Sequence, residues 1–370
     1  MVGEFIPLTI KEIRQETEEA VSILFHFPEA HKEAFQFKPG QYLTIKWKSD
    51  GQEYRRSYSI SSVPEDPHLA ITVKEVSKGK VSPILARSLK PGDTLNVMIP
   101  EGRFTADFNP DKKRIIYLIC AGSGITPLMS LLRTALETEP KSQVVLLYGS
   151  RTESQIIFKS DLDQLAEKYK GQFFVYHTLS KPDDSGFLKS IFGGKKKNEW
   201  QGMKGRISAN HIHDVLAKHP QSKDPSIFYL CGPGDFIQTT TKTLLATGVR
   251  EEMIKKEYFT PPSSEHPITH IGETTKHTGK TSSVTVHLRG EKIQIQVADE
   301  SILDTLLEQG WDAPYSCHSG ACATCMAKVL HGKVEMDACF ALNDQEIANG
   351  YVLTCQSHPT TAEVELTYDE

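Results

Sequence analysis

Five of the seven cysteines fall between residues 317 and 355, and four of them follow the pattern Cys317-x4-Cys322-x2-Cys325-x29-Cys355. Thiolates are soft ligands, so clustering of this kind points to metal. Three thiolates on one tight loop can wrap a small cluster, and a fourth from a later strand closes the cage. The spacing is that of a [2Fe–2S] cluster. Small residues in the loop (Ser316, Ser319, Gly320, Ala321, Ala323, Thr324) let backbone N–H groups approach the sulfurs. Zinc is the alternative, because Cys-x2-Cys is a common zinc element, but zinc ribbons use two such pairs and the second is missing here. Cys339 lies outside the spacing and reads as a bystander thiol.

Other groups of residues could bind and reduce a redox cofactor. Arg56-Ser57-Tyr58-Ser59 ends a strand. The guanidinium can neutralise a pyrophosphate, the Tyr ring can pack on a flavin, and the Ser59 hydroxyl can hydrogen-bond near its N5. Alone, these four residues could be ordinary strand surface. Gly79-Lys80-Val81-Ser82, opening a helix, adds backbone N–H groups for a phosphate. Gly122-Ser123-Gly124-Ile125-Thr126-Pro127 follows an apolar strand and opens another helix, the context in which a Gly-x-Gly turn binds a dinucleotide. Pro127 stands where its fixed φ suits a first helical turn. The next strand ends in Tyr148-Gly149-Ser150-Arg151, where NAD-specific sites commonly place an acid for the ribose 2′-OH. A hydroxyl and a guanidinium instead suit a 2′-phosphate, which favours NADPH over NADH; a surface arginine is the plainer alternative. Cys231-Gly232-Pro233 ends a later strand, where a small buried residue before a turn would also serve.

The elements that must position these groups fall into three units. A chain of 370 residues exceeds one ordinary core. Residues 1–108 read as short strands broken by turns at Lys38-Pro39-Gly40, Ser49-Asp50-Gly51 and Lys90-Pro91-Gly92, an antiparallel β-barrel with one helical piece near 82–89. Residues 109–260 alternate apolar strands (Arg114 to Cys120, Gln143 to Tyr148, Phe173 to His177, Ser226 to Cys231) with helices near 127–138 and 154–170 and after 231, a doubly wound α/β domain. Residues 261–282 are polar, rich in Pro, Ser, Thr and His, and read as a linker. Residues 283–370 begin with a hairpin around Arg289-Gly290 and a short helix from Ile302 to Gln309, an α+β unit. The insert 186–205, with its three consecutive lysines, reads as a solvated loop. His211 and His213 read as surface or capping residues.

Composition narrows the function classes. The chain is 38% hydrophobic and 24% charged, as in a globular protein, and no stretch approaches the apolar length of a membrane span. Residues 283–370 carry 14 acidic and 4 basic side chains, whereas the whole chain has a net charge of −5. That is no nucleic-acid binder. It fits an acidic module docking on a basic face, or an acidic surface kept for solubility. The N-terminal residues carry no secretory pattern, so the expected location is the cytoplasm, where disulfides are rare.

Taken together, these motifs resemble a known family. Residues 283–370 are similar to plant-type ferredoxins of β-grasp fold, including Ala313-Pro314-Tyr315-Ser316 before the cysteines; His318 stands where photosynthetic members carry Arg, which favours the subtype fused to reductases. Arg56-x-Tyr58-Ser59, Gly79 to Ser82 and Pro100-Glu101-Gly102-Arg103-Phe104, in this order, resemble the ferredoxin–NADP reductase superfamily. The resemblance implies FAD rather than FMN, bound also by Val73 and Lys74. It places Gly122, Gly124 and Thr126 at the nicotinamide dinucleotide, and sets Cys231, Gly232 and Pro233 beside the nicotinamide. It makes Ser59, Cys231 and Glu257 the catalytic candidates. The module order resembles reductase components of bacterial multicomponent oxygenases, most of all those of phenylacetyl-CoA epoxidases. The expectation is therefore an NADPH–FAD–[2Fe–2S] electron path to a separate oxygenase, with the linker letting the last module shuttle. A reductase for a hydroxylase, a desaturase or hybrid-cluster protein, or a redox sensor, is the alternative.

Overall fold

The computed structural model describes residues 4–26, 29–182, 200–220, 225–263 and 281–369. Most of the lysine-rich insert (183–199) and of the expected linker (264–280) lies outside the described residues.

The first module is a six-stranded antiparallel sheet: β1 (Phe5–Thr17), β2 (Ala20–Phe25), β3 (Tyr42–Ser49), β4 (Gln52–Ser59), β5 (Leu69–Lys74) and β6 (Thr94–Met98). The order is β4-β3-β6-β1-β2-β5, and a bridge between Ile60 and Ile71 joins the two ends into a barrel. Alternation buries Ile6, Leu8, Ile10, Ile23, Leu43, Ile45, Val73 and Val97 inside it. The turn between β3 and β4 is two residues long, Asp50 (φ 52°) and Gly51 (φ 75°), pairing Ser49 with Gln52. Two positive φ values are what a tight hairpin needs to match strand twist. A short helix, α1 (Ser82–Arg87), follows β5.

The second module runs β7 (Ile115–Ala121), α2 (Ile125–Thr138), β8 (Gln143–Ser150), α3 (Lys159–Lys168), β9 (Phe173–Leu179), β10 (Met203–Lys204), α4 (Ala209–Lys218), β11 (Ser226–Pro233), α5 (Gly234–Ala246) and β12 (Ile254–Thr260). Its strands pair in parallel in the order β10-β9-β8-β7-β11-β12. Apolar clusters cover both faces, as the continuous apolar runs require. The strand order reverses between β7 and β11, where open α/β sheets bind ligands at the carboxyl ends of their strands. The helix expected over 154–170 is shorter, because Phe158 adopts a left-handed conformation (φ 62°) and separates a 3-10 turn at Glu153–Gln155 from α3. His211 closes a capping box with Ser208 at the start of α4, a helix not expected from the sequence.

The third module comprises β13 (Ser282–Leu288), β14 (Glu291–Val297), α6 (Ile302–Glu308), β15 (Met326–His331), β16 (Val334–Met336), α7 (Asp344–Ala348), β17 (Tyr351–Leu353), β18 (Ser357–Pro359) and β19 (Glu363–Thr367). Five strands form a mixed sheet, β14-β13-β19-β15-β17, with β13 and β19 parallel at its centre. Ile302, Leu303 and Leu306 of α6 pack on it.

A buried ion pair within the second module holds the segment that leads into it from the first. Glu139, at the end of α2, is fully buried. It accepts from Arg114 Nη2 (2.8 Å) and Nε (3.0 Å), Ser142 Oγ (2.8 Å) and the Asn109 N–H (3.2 Å). Arg114 also reaches the Asp107 carbonyl at 3.2 Å. Glu139→Ala strands the guanidinium, so the expected loss is about 3 kcal/mol, read as a lower urea midpoint for the second module. An unchanged midpoint would show that the connecting segment is held by something else.

Candidate functional site

The cysteine loop is shaped by backbone constraints. His318 (φ 52°) and Gly320 (φ 69°) take left-handed conformations. A Cβ on Gly320 would lie 2.6 Å from the Ala338 carbonyl oxygen, and Gly320's own carbonyl accepts from the N–H groups of Phe340 (2.9 Å) and Ala341 (3.1 Å). Only glycine fits there. Cys355 lies on a 3-10 turn, Thr354–Gln356, after β17. The Thr354 N–H (3.1 Å) and Oγ1 (3.0 Å) both donate to the Cys325 carbonyl, tying the two ligand segments together.

The four thiols converge. Cys317 lies against Cys322 and Cys355, and Cys355 against Cys325. The N–H groups of Ser319 and Cys322 each donate to Cys317 Sγ at 3.4 Å. Hydrogen bonds from Cys322 and Cys355 hold the Cys317 thiol far below the usual thiol range, and the same contacts raise its two partners. The contacts form an open row, Cys322–Cys317–Cys355–Cys325. Among the described residues no group of three or more His, Cys, Asp or Glu side chains is arranged for a single ion. A row of four thiols with aimed N–H groups fits two bridged irons, each needing two ligands, better than one tetrahedral ion. Cys339 sits in the module's core, its thiol pushed up to about 11 by burial.

At the switch point three strand ends meet. Cys231 on β11 is paired in register with Cys120 on β7 and Glu257 on β12. Gly124, before α2, presses on β11: a Cβ there would lie 2.1 Å from the Cys231 carbonyl oxygen. The Gly122 carbonyl accepts from the Tyr148 hydroxyl at 2.9 Å, and Thr126 is buried in the first turn of α2. The barrel contributes Ser59, whose hydroxyl donates to Glu257 Oε2 at 3.5 Å; the Cys231 thiol points to the same oxygen at 3.8 Å. Glu257 keeps some accessible surface toward the crevice, but protein atoms crowd it closely. Burial pushes its carboxyl up to about 8. Ser59, Cys231 and Glu257, from two modules, therefore form one cluster with a neutral acid at its centre near pH 7.

The other flavin candidates lie around this cluster. Tyr58 is half-buried, and desolvation raises its hydroxyl; Arg56 is exposed beside it on β4. Val73 and Lys74 end β5, with Val73 buried and Lys74 paired to Glu19 at 3.5 Å. In the Gly79–Ser82 turn, Ser82 Oγ accepts the Val76 N–H at 3.0 Å, and a Cβ on Gly79 would come within 3.0 Å of that same oxygen. The turn is a close cradle that a side chain would fill, as a phosphate-facing loop needs to be. At the end of β8, the Ser150 and Arg151 carbonyls are held by the N–H groups of Ser180 (2.9 Å) and Lys181 (2.8 Å). Ser150 Oγ is buried without a well-aligned partner, and Arg151 is exposed. The backbone carrying both side chains is thus fixed, with the guanidinium exposed and the hydroxyl buried. Gly232 and Pro233 lead from Cys231 into α5.

The structure also brings in residues that the motifs did not mark. Tyr42, opposite Ser59 on β3, reaches the cysteine loop, its hydroxyl 2.8 Å from Thr324 Oγ1. Ser57, the unassigned position of the Arg-x-Tyr-Ser motif, donates to Ser316 Oγ at 2.8 Å. Gly102 (φ 113°) lets the Tyr42 ring pass, since a Cβ there would lie 2.9 Å from it. The flavin-site strands and the cysteine loop are in direct contact. Outward-facing polar residues on β3 and β4 were the only sequence signal of this, and a solvated strand gives the same signal.

Known proteins agree with this layout. Residues 7–106 match the oxidoreductase FAD-binding domain, residues 118–242 the oxidoreductase NAD-binding domain, and residues 286–360 the 2Fe-2S iron-sulfur cluster binding domain. The chain is 34% identical to one of the subunits of 1,2-phenylacetyl-CoA epoxidase from Escherichia coli, over 99% of this chain and 98% of that protein. It is 31% identical to the ferredoxin reductase component of 3-ketosteroid-9-alpha-monooxygenase from Rhodococcus rhodochrous, over 98% of this chain and 96% of that protein. An intact type IV self-sufficient cytochrome P450 monooxygenase shares the fold, with a TM-score of 0.66 and 20% identity, covering 99% of this chain and 42% of that one.

Gly124→Ala forces the turn away from β11, because the clash is with backbone. Flavin bleaching by the reduced nicotinamide cofactor should slow on the order of tenfold, with flavin and cluster absorbance retained. Bleaching at the original rate would mean that the close approach has no part in the site. Three domain matches in barrel–nucleotide–cluster order, with relatives above 30% identity along nearly their whole length, place this chain in the family of flavin-dependent oxidoreductases that carry a C-terminal [2Fe–2S] domain.

Proposed function

We propose that this protein is the reductase component of a multicomponent oxygenase, supplying a separate terminal oxygenase with electrons from NADPH. The observation that carries the reading is convergence: Ser59, Cys231 and Glu257 meet at 3.5–3.8 Å, and Tyr42, beside Ser59, touches the cysteine loop. When bound, the flavin accepts a hydride from the nicotinamide and the cluster relays its electrons one at a time.

The chain's residues supply geometry and electrostatics. Arg56 and the Gly79-Lys80-Val81-Ser82 turn bind the FAD phosphates, Tyr58 packs on its ring, and Val73 and Lys74 border it. Gly122, Gly124 and Thr126 bind the nicotinamide dinucleotide, and Cys231, Gly232 and Pro233 flank the nicotinamide itself. Ser150 and Arg151 bind the 2′-phosphate, which sets NADPH above NADH. Glu257, neutral at pH 7, holds Ser59 and Cys231 without placing a buried charge on the crevice floor. Cys317, Cys322, Cys325 and Cys355 hold the cluster.

The partner in this reading is an epoxidase of the phenylacetyl-CoA type, supported by the full-length relative of that name. The ketosteroid monooxygenase relative supports a hydroxylase as the second choice. The reading includes a cytoplasmic location, supported by cysteines spaced for a cluster rather than for a disulfide framework. No described helix is long and apolar enough to cross a membrane.

Anaerobic titration with NADPH tests the path: the flavin should bleach and the reduced-cluster EPR signal should follow. A flavin that reduces while the cluster stays oxidised would sink it. Arg151→Ala should raise KM for NADPH on the order of tenfold or more and leave KM for NADH nearly unchanged; equal changes would remove the phosphate role. Because Glu257 ionises only near 8, flavin reduction should slow as pH rises through that value. Glu257→Gln, a permanent neutral mimic, should flatten that limb, and an unaltered limb would assign it to another group.

A further inference from the structure

Arg55 is a deeply buried charge between the barrel and the third module. It stands on β4 beside the Arg56–Ser59 motif, yet its side chain is only 4% exposed. A guanidinium cannot shed its charge, so burial is tolerated only with partners on every side. Two of those partners belong to the barrel: Glu53 Oε1, at 2.9 Å from Nε, and the Phe5 ring, 4.9 Å from the guanidinium carbon. The others belong to the third module. Arg55 pairs with the Asp312 carboxylate, donates to the Ala313 carbonyl at 3.2 Å, and lies 4.3 Å from the Tyr315 ring centre. Asp312 in turn holds Arg289, in the β13–β14 turn, at 3.2 Å. The grip thus extends into that module's sheet.

Its position in the chain gives this grip meaning. Residues 312–316 lead straight into Cys317, so whatever fixes them fixes the entry to the cysteine loop. Further contacts flank the anchor: Ser57 on Ser316, Tyr42 on Thr324, and Arg103 on Glu346, with Arg103 Nη1 also 3.5 Å from Met326 Sδ. Tyr258, from the second module, packs on Phe340 at 5.6 Å. The contacts approach the loop from several directions, so together they set its orientation as well as its distance.

We infer that the outer face of β3 and β4 is a docking seat for the cluster module, and that Arg55 is its anchor and a positioning residue for electron transfer between flavin and cluster. The inference rests on the electron path proposed above, but the seat can be tested apart from it. Asp312 is partly exposed, so Asp312→Asn breaks the anchor with little risk to folding; Arg55→Lys keeps the charge and loses the fork.

In the intact holoenzyme, both variants should leave NADPH-driven flavin bleaching unchanged and slow the following cluster reduction on the order of tenfold or more. In the oxidised resting protein, amide hydrogen exchange across residues 310–316 should rise in both. Exchange as slow as in the unsubstituted chain would overturn the seat. Faster exchange with cluster reduction at its original rate would overturn the positioning role. If the unsubstituted cluster never reduces, the electron path fails instead, and exchange alone decides the seat.

Discussion

Successive side chains of a β-strand point to opposite sides, so one strand can serve two neighbours. β4 does this. Tyr58 packs against the barrel core, with Arg56 on the same side, while Arg55, Ser57 and Ser59 face outward onto the other two modules. A slip of one residue between β3 and β4 would exchange the two sets. The two-residue turn at Asp50 and Gly51, with Ser49 opposite Gln52, holds the register. The flavin motif, the Glu257 contact and the seat for the cysteine loop all depend on it.

Water is largely kept from the seam this register creates. Burial pushes Glu257 up to about 8 and Glu101 up to about 7. Glu101 exchanges backbone hydrogen bonds with Tyr42 at 2.8 and 3.0 Å, and one of its carboxylate oxygens is buried without a partner. Both carboxyls sit near Tyr42, where burial disfavours their charge: Glu257 is mostly neutral at pH 7 and Glu101 about half ionised. Where charge is buried at the seam, as at Arg55, it is matched by Glu53 and Asp312. Burial opposes ionisation of Asp312, but hydrogen bonds from Arg55 and Arg289 outweigh it and hold its carboxyl below the ordinary range.

Much of the fold and part of the site is legible in residue order. The apolar runs before Cys120 and Cys231 are adjacent parallel strands because strands buried on both faces must be apolar throughout. The cysteine spacing brings four thiols together because three lie within nine residues and the fourth follows a strand paired with β15. The helix over 154–170 is shorter than its pattern predicts, since nothing in that pattern marks Phe158 as left-handed. The helix over 209–218 escapes notice because it buries only Ile212 and Val215, too short an apolar stripe to stand out, and one of its two histidines is a cap.

The sequence by itself determined the modules, their order and the chemistry each can hold, because ligand spacing, turn residues and periodicity are local properties. It did not determine how the modules meet. Arg55, Ser57 and Tyr42 look like ordinary outward-facing strand residues, and their partners lie more than 250 positions away. Only tertiary structure decides whether an outward face meets water or another module. Here it meets the cysteine loop, and that contact turns three binding units into one path.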